Sequence, residues 1–365
     1  MRLAAYITMV ILSLSLVLNA MAVFRFIWIK RTSFRATAMR VSLSVFTLLF
    51  SFLAVEGAFR FFVVQSDAWW FTLSCKEWFR RHWKPVNSFG FRDVEHSKAS
   101  LTGQKIVIVL GDSFVTGYGI ENCSDRYSNI LQDHLGEGWT VINMARNGWS
   151  TAEELQALES FPFPIEHIIL SHFINDIEPV TYRLPHYSRE QFQSPIEERI
   201  PTLLEPFVEN FHSINYVYWR LYRFRDSYMT MTYKDYLIAL WSDPEVWLLH
   251  AIQLRQVAWS ARERHAELTV LAFPHLRDIE GTSFIPNKVA KLYRAEGVKC
   301  VNFGELLKGR EAMSLVVNSV DSHPNKKLHR EIADILMRQV FVTRHGHPSL
   351  GKSPSSVDPK QQATR

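Results

Sequence analysis

The sequence predicts an α/β protein: a doubly wound parallel sheet preceded by two membrane-crossing helices. From Lys105 onward, apolar runs of strand length alternate with helical patterns, the arrangement that stacks helices on both faces of a parallel sheet. The first run, Ile106–Leu110, is uninterrupted Ile and Val ending in Leu, and Gly111-Asp112-Ser113-Phe114 breaks it sharply. Ahead of the sheet lie two long apolar stretches, Leu3–Phe24 and Val41–Ala58.

Taken in chain order, Leu3–Phe24 carries no charge, and Val41–Ala58 is interrupted only by Glu56. Both approach the roughly 20 residues that cross a ~30 Å hydrocarbon core. Between them stand Arg25, Lys30, Arg31, Arg35 and Arg40 with no acid, so the positive-inside rule places this loop in the cytoplasm. Residues 1–64 are therefore expected to form a membrane hairpin, with the rest of the chain extracytoplasmic. Ala20-Met21-Ala22 resembles a signal-peptide cleavage site and gives a rival reading. Residues 65–104 form a juxtamembrane segment whose Trp69, Trp70, Trp78, Arg80, Arg81 and Trp83 suit an interfacial belt.

The main domain is expected over 105–343, long enough for a sizeable core. Its strand candidates are Lys105–Leu110, Thr140–Ala145, His167–Phe173, Leu268–Phe273 and Val298–Phe303. Helical patterns fall at Tyr127–Leu135, Ala152–Glu159, Trp247–His265, Asn287–Glu296 and Leu328–Val340. Residues 178–243 exceed a minimal fold and are dense in aromatics, among them Phe207, Phe211, Tyr216, Trp219 and Trp241. They could build a substrate wall or lid, or simply pack as a helical cap; Tyr216–Arg225 has the mixture of an interfacial helix. Residues 344–365 read as a disordered tail.

Four segments in order carry chemistry: Gly111-Asp112-Ser113, Asn143–Thr151, Ile168–Pro179 with Asn175-Asp176, and Val320–Asn325 with Asp321 and His323. Together they resemble the SGNH/GDSL hydrolase family over roughly Val86 to Val342. Asn87-Ser88-Phe89-Gly90-Phe91-Arg92 resembles a segment of its membrane-attached members. The resemblance implies a flavodoxin-like three-layer α/β/α fold. It also implies a Ser113 nucleophile, a His323 base, and oxyanion donors at the Ser113 and Gly148 amides and the Asn175 side chain. No cofactor or metal is implied. Three departures stand out: Phe173 sits where the family usually has glycine, Ala145 replaces another glycine, and Asp321 lies two residues before His323 rather than three.

The chemistry has its own logic. A serine hydroxyl needs a base within hydrogen-bond reach, and His323 supplies one that Asp321 can orient. Asp112 reads as a structural hydrogen-bonding residue. Taken singly, each residue reads better as a turn or cap residue; their order makes the joint catalytic reading the stronger one.

Composition narrows the partners. The formal net charge is +5, and the basic loop between the apolar stretches accounts for it, so nothing points to nucleic acid. Cys75, Cys123 and Cys300 lack metal or redox spacing. Cys75 and Cys123 could pair, although free thiols are the simpler reading. The sequence thus predicts a membrane-anchored serine esterase acting on an acylated glycan, lipid or small molecule. An O-acyltransferase of an envelope polysaccharide shares the same machinery, and a non-catalytic binding module remains the alternative from another class.

Overall fold

The computed structural model of the chain describes residues 32–68, 70–184, 200–229 and 233–341. The first apolar stretch, Leu3–Phe24, the signal-peptide site, Trp69 and the 344–365 tail lie outside the described residues. The described residues fall into two compact units, one within residues 32–81 and 200–229, the other within 82–184 and 233–341.

The first unit is built around a helix, Thr32–Phe62. Its stretch Arg40–Phe62 is long and apolar enough to cross a membrane, and it is the single such helix among the described residues. The helix begins well before the expected Val41, so Arg35 and Arg40, read above as loop residues, are helical. The reason is local: Thr32–Arg40 holds no Gly or Pro, and Ala, Met and Arg favour continuation. A tight turn follows, in which the Asp67 carboxylate accepts from the Phe71 and Thr72 amides and from the Thr72 hydroxyl. Helix Leu73–His82 comes next, then Glu205–Asn210 and His212–Met229. Within this unit Trp219 stacks on Phe71 at 4.6 Å, and the Asn215 side chain accepts from the Leu73 amide at 2.8 Å.

The second unit is the α/β body. Its five strands are β1 (Lys105–Gly111), β2 (Trp139–Ala145), β3 (His167–His172), β4 (Glu267–Ala272) and β5 (Lys299–Asn302). They pair in the order β2-β1-β3-β4-β5, every pair parallel. The continuous apolar run of β1 is explained by burial on both sides. Alternate side chains face opposite ways. Ile106, Ile108 and Leu110 join Ile142, Ile168 and Leu170 in one core, with Leu158, Leu254, Val257, Val289 and Leu292 from helices Thr151–Ser160, Pro244–Glu263 and Phe284–Ala295. Val107 and Val109 join Val141 and Ile169 in the other, with Leu131, Ile332 and Leu336 from helices Tyr127–Leu135 and Lys326–Leu336. The result is a three-layer, doubly wound sheet.

Each expected strand and helix of this body is present, with ends shifted by a few residues. Two shifts have clear causes. Pro244–Glu263 starts early because Asp243 caps the amides of Glu245 and Val246, with Pro244 at the first helical position. Lys326–Leu336 starts early because Asn325 caps the Leu328 amide. A short antiparallel hairpin, β6 (Val316–Asn318) and β7 (Asp321–Pro324), was not anticipated from the sequence. The aromatic-rich 178–243 segment is divided. Residues 200–229 belong to the first unit, whereas Tyr233–Ser242 packs on the α/β body, its Trp241 indole donating to the Ile174 carbonyl at 2.7 Å.

In the order β2-β1-β3-β4-β5, successive connections leave β1 in opposite directions, so a crevice opens beyond the carboxyl ends of β1 and β3, where open α/β sheets bind ligands. Gly111 ends β1 there, and only a hydrogen fits: a Cβ would lie 2.3 Å from Val115 Cγ2 and 3.1 Å from the Ser171 carbonyl oxygen. Gly111→Ala is therefore expected to destabilise the α/β body by about 1–3 kcal/mol through overpacking. A lowered thermal midpoint by circular dichroism would bear this out, and an unchanged midpoint would contradict it.

Candidate active site

Ser113 follows the end of β1 and begins a one-turn helix, Ser113–Thr116. The turn is held by Asp112, whose carboxylate accepts from the Phe114 amide at 2.9 Å. A glycine in left-handed conformation, Gly117 (φ 70°), closes the helix. His323 arrives from the far end of the chain on β7. Its Nε2 is 2.8 Å from Ser113 Oγ, and its Nδ1 is 2.5 Å from Asp321 Oδ1. Asp321 and His323 are two apart on a strand, so their side chains share a face. That makes the D-x-H spacing workable, and the Asp321 carboxylate also accepts from the His323 amide at 3.1 Å.

The proton arrangement follows from these contacts. A carboxylate at 2.5 Å requires a hydrogen on Nδ1, so in the neutral ring Nε2 is the bare nitrogen. Ser113 then donates to His323, although Asp112 Oδ2 lies 3.2 Å from the same hydroxyl. Tyr118 stacks on the His323 ring at 4.4 Å and 20°, and Phe114 meets it edge-on at 5.8 Å. Both rings restrict how the imidazole can turn.

The remaining predicted residues lie on the segments that follow β2 and β3. Asn175 lies on the 3-10 helix Ile174–Arg183 after β3, and its side chain hydrogen-bonds Asp112. Gly148 sits in the turn after β2 with φ 75°, a conformation that glycine adopts without strain. That turn is tied to the Ser113 helix by the Thr116 hydroxyl, which donates to Asn147 Oδ1 at 2.6 Å. Phe173 occupies its place with φ −118° and ψ 163°, ordinary extended backbone, so no glycine is needed there. Its ring stacks on Phe114 at 4.1 Å. Ala145 ends β2 in register with Gly111.

The sequence did not reveal a cluster of buried carboxyls behind these residues. Asp112, Glu154 and Asp176 are all fully enclosed. Burial pushes the Asp112 carboxyl above the usual carboxylate range, against hydrogen bonds from Phe114, Ser113 and Asn175. Burial, then repulsion from Asp112, drives Glu154 well above it. Asp176 is raised in the same way by burial and then by Glu154 and Asp112, although it accepts from the Phe173 amide at 3.0 Å. Nearby, His172 and His250 share a 3.0 Å contact between their Nε2 atoms. Burial holds His250 down to about 4, and burial with its neighbour takes His172 lower still. The signal was present in the sequence only as acids at otherwise apolar helix and strand-end positions.

Cys75, Cys123 and Cys300 are free thiols. Among the described residues no group of three or more His, Cys, Asp or Glu is arranged to hold a metal ion.

No protein-family model matches the sequence, and no curated relative matches it. Solved structures similar to this chain include a member of the lipolytic protein G-D-S-L family from Veillonella parvula (15% identity, 66% of this chain and 99% of that one, TM-score 0.37). An aryl esterase from M. smegmatis (15%, 65% and 98%, 0.36) and an acetyl xylan esterase from Geobacillus stearothermophilus (12%, 65% and 94%, 0.38) are similar to a like degree. The likeness is a distant one.

The buried carboxyls make a pH prediction. A group whose folded pKa is raised favours the fold while both states are protonated, and that contribution is lost as pH rises from the unfolded value of about 4 toward the folded one. Both Glu154 oxygens lack a hydrogen-bond partner, so Glu154→Gln removes the penalty without breaking a bond. Its thermal midpoint relative to the parent should climb between pH 4 and pH 8; parallel midpoint curves for the two proteins would refute this.

Proposed function

We propose that this protein is a serine ester hydrolase of SGNH type, anchored in a membrane with its α/β body on the extracytoplasmic side. One observation carries the reading: the unbroken chain of hydrogen bonds from Ser113 Oγ through the His323 ring to the Asp321 carboxylate. The anchoring part is supported by the apolar helix Arg40–Phe62 and by the basic residues that precede it.

In this mechanism Ser113 Oγ attacks the acyl carbon of a bound ester as its proton passes to His323 Nε2. Asp321 holds the ring and stabilises the imidazolium. The former carbonyl oxygen becomes an oxyanion, met by the Ser113 and Gly148 amides and by the Asn175 side-chain NH₂. Asp112 accepts from Asn175 and so orients it. The imidazolium returns its proton to the leaving alcohol, an acyl-enzyme remains, and His323 then activates water to release the acid. The substrate class is an acyl ester of a glycan, lipid or small molecule. Passage of the acyl group to a second hydroxyl would use the same residues, and that partition is itself measurable.

The test is a fluorophosphonate on the full chain in detergent, with intact mass and turnover of a short-chain aryl ester as readouts. One adduct is expected on the parent and none on Ser113→Ala. Asn175→Ala should lower turnover by about 10²–10³, and Asp321→Asn by about 10⁴ through the wrong ring tautomer. A folded parent protein that takes no adduct would overturn the reading. Added acylatable glycan would separate hydrolysis from transfer by the share of acyl groups it captures.

A further inference from the structure

The turn that carries Gly148 follows β2, an edge strand with β1 on one side only, and Arg146, Asn147 and Gly148 are all exposed. An oxyanion donor must nevertheless hold its place, because the bond it makes has a narrow range of length and direction. The turn type sets the direction. The Trp149 amide donates to the Arg146 carbonyl at 3.2 Å, Gly148 has φ 75°, and Asn147 keeps a negative φ. That combination is a type II turn. In a type I turn the peptide between Asn147 and Gly148 would face the other way, so the sign of φ at residue 148 decides where its N–H points. A Cβ on Gly148 would meet nothing within 4 Å, so an alanine there is opposed by conformation and not by space.

The place of the turn is set by Arg146. Its Cζ lies 5.4 Å from the Phe91 ring centroid and 5.5 Å from that of Trp149, within cation–π reach, and its guanidinium donates to the Phe89 carbonyl. Phe91 meets Trp149 edge-on at 5.6 Å and 84°. The first and last residues of the turn thus close on one aromatic ring. The loop that supplies this ring is folded by Asn87, whose side-chain oxygen accepts from the Phe89 and Phe91 amides at 3.2 and 3.0 Å. Asp93 ties the same segment to β2 by accepting from the Asn143 amide at 2.9 Å. The guanidinium passes over Gly90, where a Cβ would come within 2.8 Å of Nη2. Asn87, Gly90 and Phe91 therefore converge on Arg146.

We propose that Arg146 is a positioning residue, holding the turn so that the Gly148 amide stays aimed at the oxyanion. The proposal rests on the esterase reading and gives the Asn87–Phe91 loop a part in it, as the seat of Arg146. The bond from the Thr116 hydroxyl to Asn147 holds the neighbouring corner of the turn to the Ser113 helix, so the donor is tied on one side to the nucleophile and on the other to this loop.

The test is a double-mutant cycle on the full chain in detergent, reading kcat and KM for a short-chain aryl ester, with thermal midpoints to show that each variant is folded. Gly148→Ala should lower kcat by about 10²–10³, the loss of one donor. Arg146→Ala should lower kcat by about 10–10² with KM little changed, the scale of a misplaced group. Arg146→Met keeps the aliphatic stem over the rings and should do the same. The variant carrying both Arg146→Ala and Gly148→Ala should be no slower than Gly148→Ala alone, because an amide already turned away cannot be misplaced again. An Arg146→Ala enzyme as fast as the parent, or losses that multiply in the double variant, would overturn the positioning role and leave the esterase standing. A folded parent that takes no fluorophosphonate adduct removes both.

Discussion

The contact between Ser113 Oγ and His323 Nε2, 2.8 Å long, joins the end of the first strand to a hairpin some two hundred residues later. Neither residue can be placed without the sheet. β1 lies between β2 and β3, buried on both faces, so its carboxyl end has little freedom. The hairpin is tied down separately: the Asn325 side chain donates to the carbonyls of Ser314 and Val316 and accepts from the Leu328 amide. One asparagine therefore links β6, β7 and the last helix, and sets where His323 can reach.

The segment Asn87–Arg92 has a physical role that its position outside the sheet conceals. The fully buried Arg92 guanidinium donates to the carbonyls of Thr116, Gly117, Ile120 and Glu121. Arg126, also buried, donates to the carbonyls of Thr116 and Arg92. These bonds satisfy a turn that leaves its carbonyls pointing inward. The turn carries Tyr118, whose ring lies on His323, and Trp83 meets Tyr118 edge-on at 6.5 Å while Arg92 stacks over Trp83 at 4.7 Å. An arginine more than two hundred residues from the histidine thus restrains it through two rings. Burial pulls the Arg92 pKa down to about 10, which leaves it charged at neutral pH.

Sequence made the α/β body legible because its signal is local. A strand buried on both faces must be apolar throughout, and the helices must carry a stripe. The residues of the relay could be named because Gly111-Asp112-Ser113 and Asp321-Ser322-His323 each keep their geometry within a few positions. Phe173 shows where pattern matching stops. A glycine is dispensable there because the backbone stays extended, and dihedrals are not written in the residue type. The hairpin Val316–Pro324 escaped notice because its strands are short and mostly polar on one side. The division of the 178–243 segment between two units was equally hidden, since it depends on contacts such as Glu56 with Ser213, far apart in the chain.

Two buried glutamates mark two different physical solutions. Glu56 has every oxygen engaged by amides, a hydroxyl and a neighbouring arginine, so its burial stabilises one arrangement of helices and penalises others. Glu154 has neither oxygen engaged, and burial together with the neighbouring Asp112 raises its pKa well above the usual carboxylate range. The first satisfies the amides that open helix His212–Met229. The second leaves an acid near Asp112 whose ionisation burial makes costly. Burial of one acid thus fixes a packing arrangement through its bonds, whereas burial of the other makes its ionisation costly.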